Sequence, residues 1–131
     1  MKINKLILPL LSGLLLGLSY PPFSFGFLAW IAFIPLLHCI AKEEKISQKA
    51  LFGFVACFSS NLIILNWMGL NSGTSPMIAI ISYLALSLYL TIFWMAFIIS
   101  THFIPKKMQL FLTPLSWIFF VEFLRNMGPL A

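Results

Sequence analysis

The sequence predicts an all-α membrane protein with about five transmembrane helices. Hydrophobic residues make up 61% of the 131-residue chain and charged residues only 8%, whereas a soluble domain carries about 25% charged residues. The mean hydropathy is +1.03. Because a helix needs about 20 apolar residues to cross a bilayer, the chain has room for four or five spans. We expect a single membrane domain over residues 1–131, with no water-soluble domain beside it.

Charged side chains are few and lie between the apolar runs. The net charge of +5 could suit nucleic acid, but the cations form small groups and no basic stripe, so no nucleic-acid partner is predicted. Cys39 and Cys57 lie within apolar runs and have no metal-binding spacing to another cysteine or a histidine. We interpret both thiols as packing residues. The sequence predicts neither a metal nor a cofactor.

The first helix is predicted from about 6 to 19. Its two preceding lysines and short apolar run imitate a secretory signal, but no small-residue cleavage site follows and further apolar segments do. The helix is therefore expected to be retained. Gly13 and Gly17 form a GxxxG motif. This motif either lets a second helix approach closely or reflects the general frequency of glycine in membrane helices.

The second helix is predicted from about 23 to 41, after a stiff structural turn that proline forces on the chain. His38, near the end of this helix, is interpreted as an interfacial histidine, the alternatives being a proton-transfer or metal-binding group. The residues of the turn are Tyr20, Pro21 and Pro22.

The third helix is predicted over about 50–70, after a short solvated loop. Its polar residues are interpreted either as helix–helix hydrogen-bonding groups or as a niche that faces a lipid headgroup. Asn66 and Trp67 are the candidates for that lipid contact, because they are expected near a membrane surface. The fourth helix, about 77–104, is longer than a straight crossing requires. The fifth spans about 108–124.

The cations predict the orientation of these helices. If all five segments cross, seven of the eight lysines and arginines fall on one side. The positive-inside rule makes that side cytoplasmic. The N-terminus is then cytoplasmic and the C-terminal end faces outward to the periplasm. The seven residues are Lys2, Lys5, Lys42, Lys45, Lys49, Lys106 and Lys107.

Residues 114–131 hold the acidic residue that lies outside the Glu43–Glu44 loop. Glu122 and Arg125 are three positions apart and share a helix face, so they can pair. Ionisable groups at membrane depth are costly, which makes this pair a functional candidate. Either the two side chains neutralise each other at the interface, or they contact a phospholipid headgroup or a catalytic domain.

Residue types alone assemble no catalytic site. Both thiols are embedded in apolar helix without an adjacent base. Glu43 and Glu44 are neighbours in a solvated loop, and neither a phosphate-binding loop nor a zinc-protease motif occurs. The residues by themselves indicate a membrane module with an outward polar patch and no enzyme.

Three stretches resemble bacterial apolipoprotein N-acyltransferases. Residues 18–37, which contain the Tyr-Pro-Pro turn, resemble the opening hairpin of that family. Residues 53–67 resemble its third helix, which ends in a similar Asn-Trp. Residues 114–128 resemble its segment ending in Glu-Phe/Tyr-Leu-Arg. The three matches occur in the same order and span nearly the whole chain.

The resemblance implies a multi-pass protein of the bacterial cytoplasmic (inner) membrane. The family moves an acyl chain from a phospholipid to the N-terminal cysteine of a lipoprotein, through a Glu–Lys–Cys triad in an outward nitrilase-like domain. No residue of this sequence matches the triad, so whether the chain is an enzyme stays open. We expect a membrane-domain fragment that is inactive alone. Its expected partners are membrane phospholipid and either an apolipoprotein substrate or a separate nitrilase-like domain.

Two alternatives from other classes remain. The chain could be a small membrane scaffold that binds lipid or a separately encoded catalytic domain. It could also be a small transporter-like protein. Against the transporter, no acidic residue lies between Lys49 and Lys106, where a proton or cation relay would be expected.

Overall fold

A computed structural model describes residues 4–70 and 73–127, which form helices joined by short turns and contain no strand. The prediction of an all-α chain is confirmed for these residues. The helices are α1 (Asn4–Ser19), α2 (Leu28–Lys42), α3 (Ile46–Ile64), α4 (Asn66–Gly69) and α5 (Pro76–Phe103), followed by a 3-10 turn (Lys106–Met108), α6 (Gln109–Trp117), a π-helical segment (Ile118–Phe123) and α7 (Leu124–Asn126).

Two of these helices, α3 and α5, are long and apolar enough to cross a membrane. Helices α1 and α2 have 16 and 15 residues. At 1.5 Å per residue they reach about 24 and 22 Å, which is less than the roughly 30 Å of a bilayer core. The count of five spans therefore stays a prediction.

Helix α2 begins at Leu28, so the predicted start at residue 23 is wrong. The backbone N–H of Ser24 donates to the carbonyl of Tyr20 at 3.0 Å, and that of Phe25 to Leu18 at 3.2 Å. Ser24 has a φ of 56°, which is the left-handed region that a helix cannot contain. The apolar phenylalanines continue through this turn, so hydropathy alone extended the helix too far.

The third predicted helix is divided. Helix α3 begins at Ile46 rather than at residue 50, since no helix-breaking residue separates Lys45 from the apolar run. It ends at Ile64, because the φ of −95° and ψ of 7° of the next residue, Leu65, depart from helical values. Helix α4 then starts at Asn66. Helix α5 closely matches its predicted range, and its start is capped by Ser75, whose Oγ accepts from the N–H of Ile78 at 3.4 Å.

Close contacts set the directions of the helices. Gly13 of α1 lies against Ala56 of α3, and four residues later Gly17 lies against Ile63, so α1 and α3 run parallel. The close-approach interpretation of GxxxG is thereby confirmed. Helix α5 runs antiparallel to α3, because its far half meets Gly53 through Ile98.

Helix α2 runs antiparallel to α1. Ser12 donates to the carbonyl of Ala32 in the middle of both helices, and Lys5 pairs with Glu43 at their ends. The starts of α1 and α3 and the ends of α2 and α5 therefore share one end of the bundle, which we call the cationic end. It carries Lys5, Lys42, Lys45, Lys49 and Lys107. The opposite end, with residues 20–27, 65–70 and 73–75, is called the turn end.

The core draws on α2, α3, α5 and the π-helical segment. Its buried side chains are Leu36, Ile40, Phe52, Ala56, Phe97, Ile98 and Val121. A buried hydrogen bond joins α3 to α5. Asn61 of α3 donates through Nδ2 to the carbonyl of Ser87 of α5 at 3.4 Å. Asn61 is thus a helix–helix hydrogen-bonding residue.

Candidate functional site

Most of the residues that the sequence analysis singled out lie at the turn end of the bundle. They are the predicted turn residues Tyr20, Pro21 and Pro22 and the lipid-contact candidates Asn66 and Trp67. Trp67 is 63% exposed and Tyr20 is 49% exposed. Both lie at this end because the parallel helices α1 and α3 finish together. Tyrosine and tryptophan rings with one apolar and one polar edge suit the headgroup layer of a membrane. Asn66 is half-buried beside Trp67. Lipid contact by this group stays a prediction.

The turn itself consists of Tyr20, Pro21 and Pro22. Proline offers no backbone donor and restricts the residue before it, so the chain leaves α1 at Ser19 and re-enters a helix only at Leu28. The peptide bond between the two prolines is cis. These residues position the start of α2 and carry no reactive group.

Glu122 lies on the π-helical segment, apart from the turn-end residues. Trp117 packs on Trp94 and Phe97 of α5, with ring centroids 4.9 and 5.1 Å apart. Glu122 follows five residues later, on the π-helical segment. Its expected place near the outward end stays a prediction.

The Glu122 side chain is exposed on the surface formed by the described residues. The side chain of its predicted partner Arg125 lies outside the described part of the chain, so their pairing stays a prediction. A π-helical turn widens the backbone locally, and such turns occur frequently at functional sites. No feature of the sequence indicated it here. A functional role for Glu122 stays a prediction.

A cluster of aromatic rings joins α2, α5 and α6. Phe33 stacks on Trp94 with a centroid separation of 5.6 Å and meets Trp117 edge-on at 5.7 Å. Beside these rings opens a cleft of about 380 Å³ that has only one hydroxyl among its lining side chains. The lining residues are Phe33, Leu36, Leu37, Phe97, Ile98, Thr113 and Trp117. This cleft can accept hydrocarbon and offers no charge to a polar ligand.

Sequence reasoning missed this cleft. Trp94 and Trp117 are 23 positions apart, and neither stands out within its own apolar helix. The available signal was the high aromatic content, 16% of all residues, which does not specify which rings meet.

The two cysteines occupy different environments. Cys57 is fully buried, and its sulfur accepts a hydrogen bond from Asn61 Nδ2 at 3.3 Å. Cys39 is half-buried near the cationic end, and both are free thiols. Among the described residues, no group of three histidine, cysteine or acidic side chains could hold a metal ion.

Comparison with known proteins identifies the family. The sequence model described as the apolipoprotein N-acyltransferase N-terminal domain matches residues 12–131. An apolipoprotein N-acyltransferase of Thermotoga maritima is 28% identical over 137 aligned residues, which cover 97% of this chain and 27% of the relative. The chain thus spans about a quarter of the length of that relative. No solved structure matches the chain. This protein belongs to the apolipoprotein N-acyltransferase N-terminal domain family.

Proposed function

We propose that residues 1–131 are the membrane-embedded N-terminal part of an enzyme that transfers an acyl chain from a phospholipid to a lipoprotein. The family match over residues 12–131 carries this proposal. The apolar helices support a place in the bacterial inner membrane, crossed several times. The acyl donor is a membrane phospholipid and the acceptor is the N-terminal cysteine of an apolipoprotein.

Within this proposal the 131 residues do not transfer the acyl chain by themselves. A thioester intermediate needs a thiolate that substrate can reach and a nearby base. Cys57 is 0% exposed, so substrate cannot reach it. Cys39 is reachable, but no described base hydrogen-bonds to its sulfur. The catalytic groups belong to a nitrilase-like domain, either in the same polypeptide or in a separate one.

The aromatic cleft supplies a function for the helices beyond anchoring. It is apolar, it lies between helices, and its rings come from three separate elements. These properties suit the hydrocarbon chain of a lipid that is held near the membrane-facing side of an enzyme. We assign acyl-chain contact to this cleft.

A chimera tests the proposal. The aligned portion of the Thermotoga maritima protein is replaced by residues 1–131, and N-acylation of a diacylglyceryl-cysteine peptide is followed by mass spectrometry. We expect the chimera to acylate the peptide, because helices of one family present the same docking surface. The 131-residue chain alone is expected to give no mass shift.

The control chimera carries an unrelated membrane bundle with the same number of helices. If this control acylates the peptide as fast as the family chimera, the helices act only as an anchor, and a family-specific role is contradicted. Acylation by the 131-residue chain alone would contradict the assignment of catalysis to another domain.

The proposed orientation places the cationic end in the cytoplasm. Ser47 near that end and Ser24 in the turn are both exposed and make matched labelling sites. In a variant in which serine replaces Cys39 and Cys57, we expect an impermeant maleimide to label Ser24→Cys in intact cells. Ser47→Cys should react only after the membrane is opened. Equal labelling of both in intact cells would contradict the orientation.

A further inference from the structure

A second cleft opens at the cationic end, between the start of α1, the end of α2 and the start of α3. Its volume is about 260 Å³. Apolar side chains form one part of its wall, and ionisable side chains form the rest. The apolar group is Leu8, Cys39 and Phe52, and the ionisable group is Lys5, His38, Lys42 and Glu43.

Lys5 is held in place by Glu43. Its ammonium donates to Glu43 Oε2 at 3.0 Å, and the exposed fractions of the two side chains are 57% and 16%. This hydrogen bond lowers the pKa of the Glu43 carboxyl below its ordinary value of 4.5, so Glu43 is charged at neutral pH. The pair keeps the Lys5 ammonium at the edge of the cleft. It uses one of the three N–H donors of that ammonium and leaves the other two.

Lys42 and His38 lie one turn apart on α2, so they share a face of that helix. Both side chains are exposed. Neither forms an ion pair with any side chain that the structure describes. The ammonium of Lys42 and the ring N–H of His38 are therefore available to an anion that enters the cleft.

We propose that this cleft binds the phosphate of an anionic phospholipid. Lys42 and Lys5 supply charge-assisted hydrogen bonds to the phosphate oxygens, and His38 supplies a further donor. Leu8 and Phe52 contact the apolar part of the same lipid. The inference requires the membrane location proposed above, but it is independent of the acyltransferase activity.

The apolar wall favours a lipid over free phosphate. Leu8 is 37% exposed, and the α1 face continues with exposed Leu11 toward the middle of the bundle. Acyl chains can lie along this face and lose contact with water, whereas inorganic phosphate gains nothing from it. A bound headgroup would fix the depth of the cationic end in the membrane.

Titration of the purified full chain in detergent tests the proposal. The probes are dihexanoyl phosphatidylglycerol, dihexanoyl phosphatidylcholine and inorganic phosphate, and the readout is the NMR signal of the His38 ring. We expect phosphatidylglycerol to shift this signal and to bind about tenfold more tightly than either other probe. Lys42→Gln should weaken its binding by about tenfold, since one charged hydrogen bond is lost. Lys42→Arg, which keeps the charge, should restore most of it.

Lys107→Gln is the matched control, because Lys107 is exposed at the same end but does not line the cleft. It should change the affinity less than twofold. Equal losses in Lys42→Gln and Lys107→Gln would show general surface attraction and overturn the site. Equal binding of inorganic phosphate would overturn the lipid as ligand. Flotation of the wild-type chain with vesicles checks the membrane location separately.

Discussion

Gly13→Ala should destabilise the bundle by about 2–3 kcal/mol, as expected for overpacking of a tight contact. The added methyl group would collide with the backbone carbonyl of Ala56 and with Ser59 Oγ. A backbone atom cannot move aside as the end of a side chain can, so α1 and α3 would have to separate. Thermal or denaturant unfolding in detergent measures the loss.

Two other glycines complete this experiment. At Gly17 the new methyl would lie 2.7 Å from Ile63 Cδ1 and 2.8 Å from its Cβ, but its nearest neighbours include no backbone atom, so Gly17→Ala should cost less than Gly13→Ala. Gly26 has no atom within 4 Å of the added carbon, and Gly26→Ala should leave stability nearly unchanged. Without a clash, Gly13→Ala would stabilise the chain by about 1 kcal/mol, because alanine favours helix over glycine by that amount. Such a gain would contradict the close contact between α1 and α3.

Trp117→Ala should cost about 3 kcal/mol and release α6 from α5. Large-to-small changes at packed tryptophans commonly cost about 3–5 kcal/mol, and the lower end applies because Trp117 is only partly buried. Its ring meets three others, those of Phe33, Trp94 and Phe97. Unfolding in detergent gives the stability, and trypsin cleavage at Lys107 reports the release of α6.

Trp30→Ala is the matched control for this change. Trp30 is 88% exposed, so its removal deletes the same side chain without opening the core. It should change stability by less than about 0.5 kcal/mol. Equal effects of the two substitutions would contradict the role of the aromatic cluster. A faster trypsin cut in Trp117→Ala, with no change in Trp30→Ala, would locate the loss at α6.

Local patterns in the sequence were sufficient for the helical class and for most helix ranges. Long apolar runs, prolines after Ser19 and Ser75, and the cations between runs are all local signals. Among the described residues, Lys5, Lys42 and Lys107 occupy one end of the bundle, and the side of a membrane that this end faces stays a prediction. Each long helix runs antiparallel to the long helix before it, so every second connection lies at the same end of the bundle. The order of the segments along the sequence is enough to predict this. The GxxxG motif pointed to the correct pair of close-packing residues but did not name α3 as their partner.

Tertiary structure decided which side chains meet. The start of α2 at Leu28, the break at Leu65 and the π-helical turn have no marker in hydropathy or periodicity. The same is true of the two clefts, because Phe33 and Trp117, or Lys5 and Lys42, come together only when separate helices pack. Hydropathy and periodicity record the face that each helix buries, and they carry no information about which neighbour covers that face.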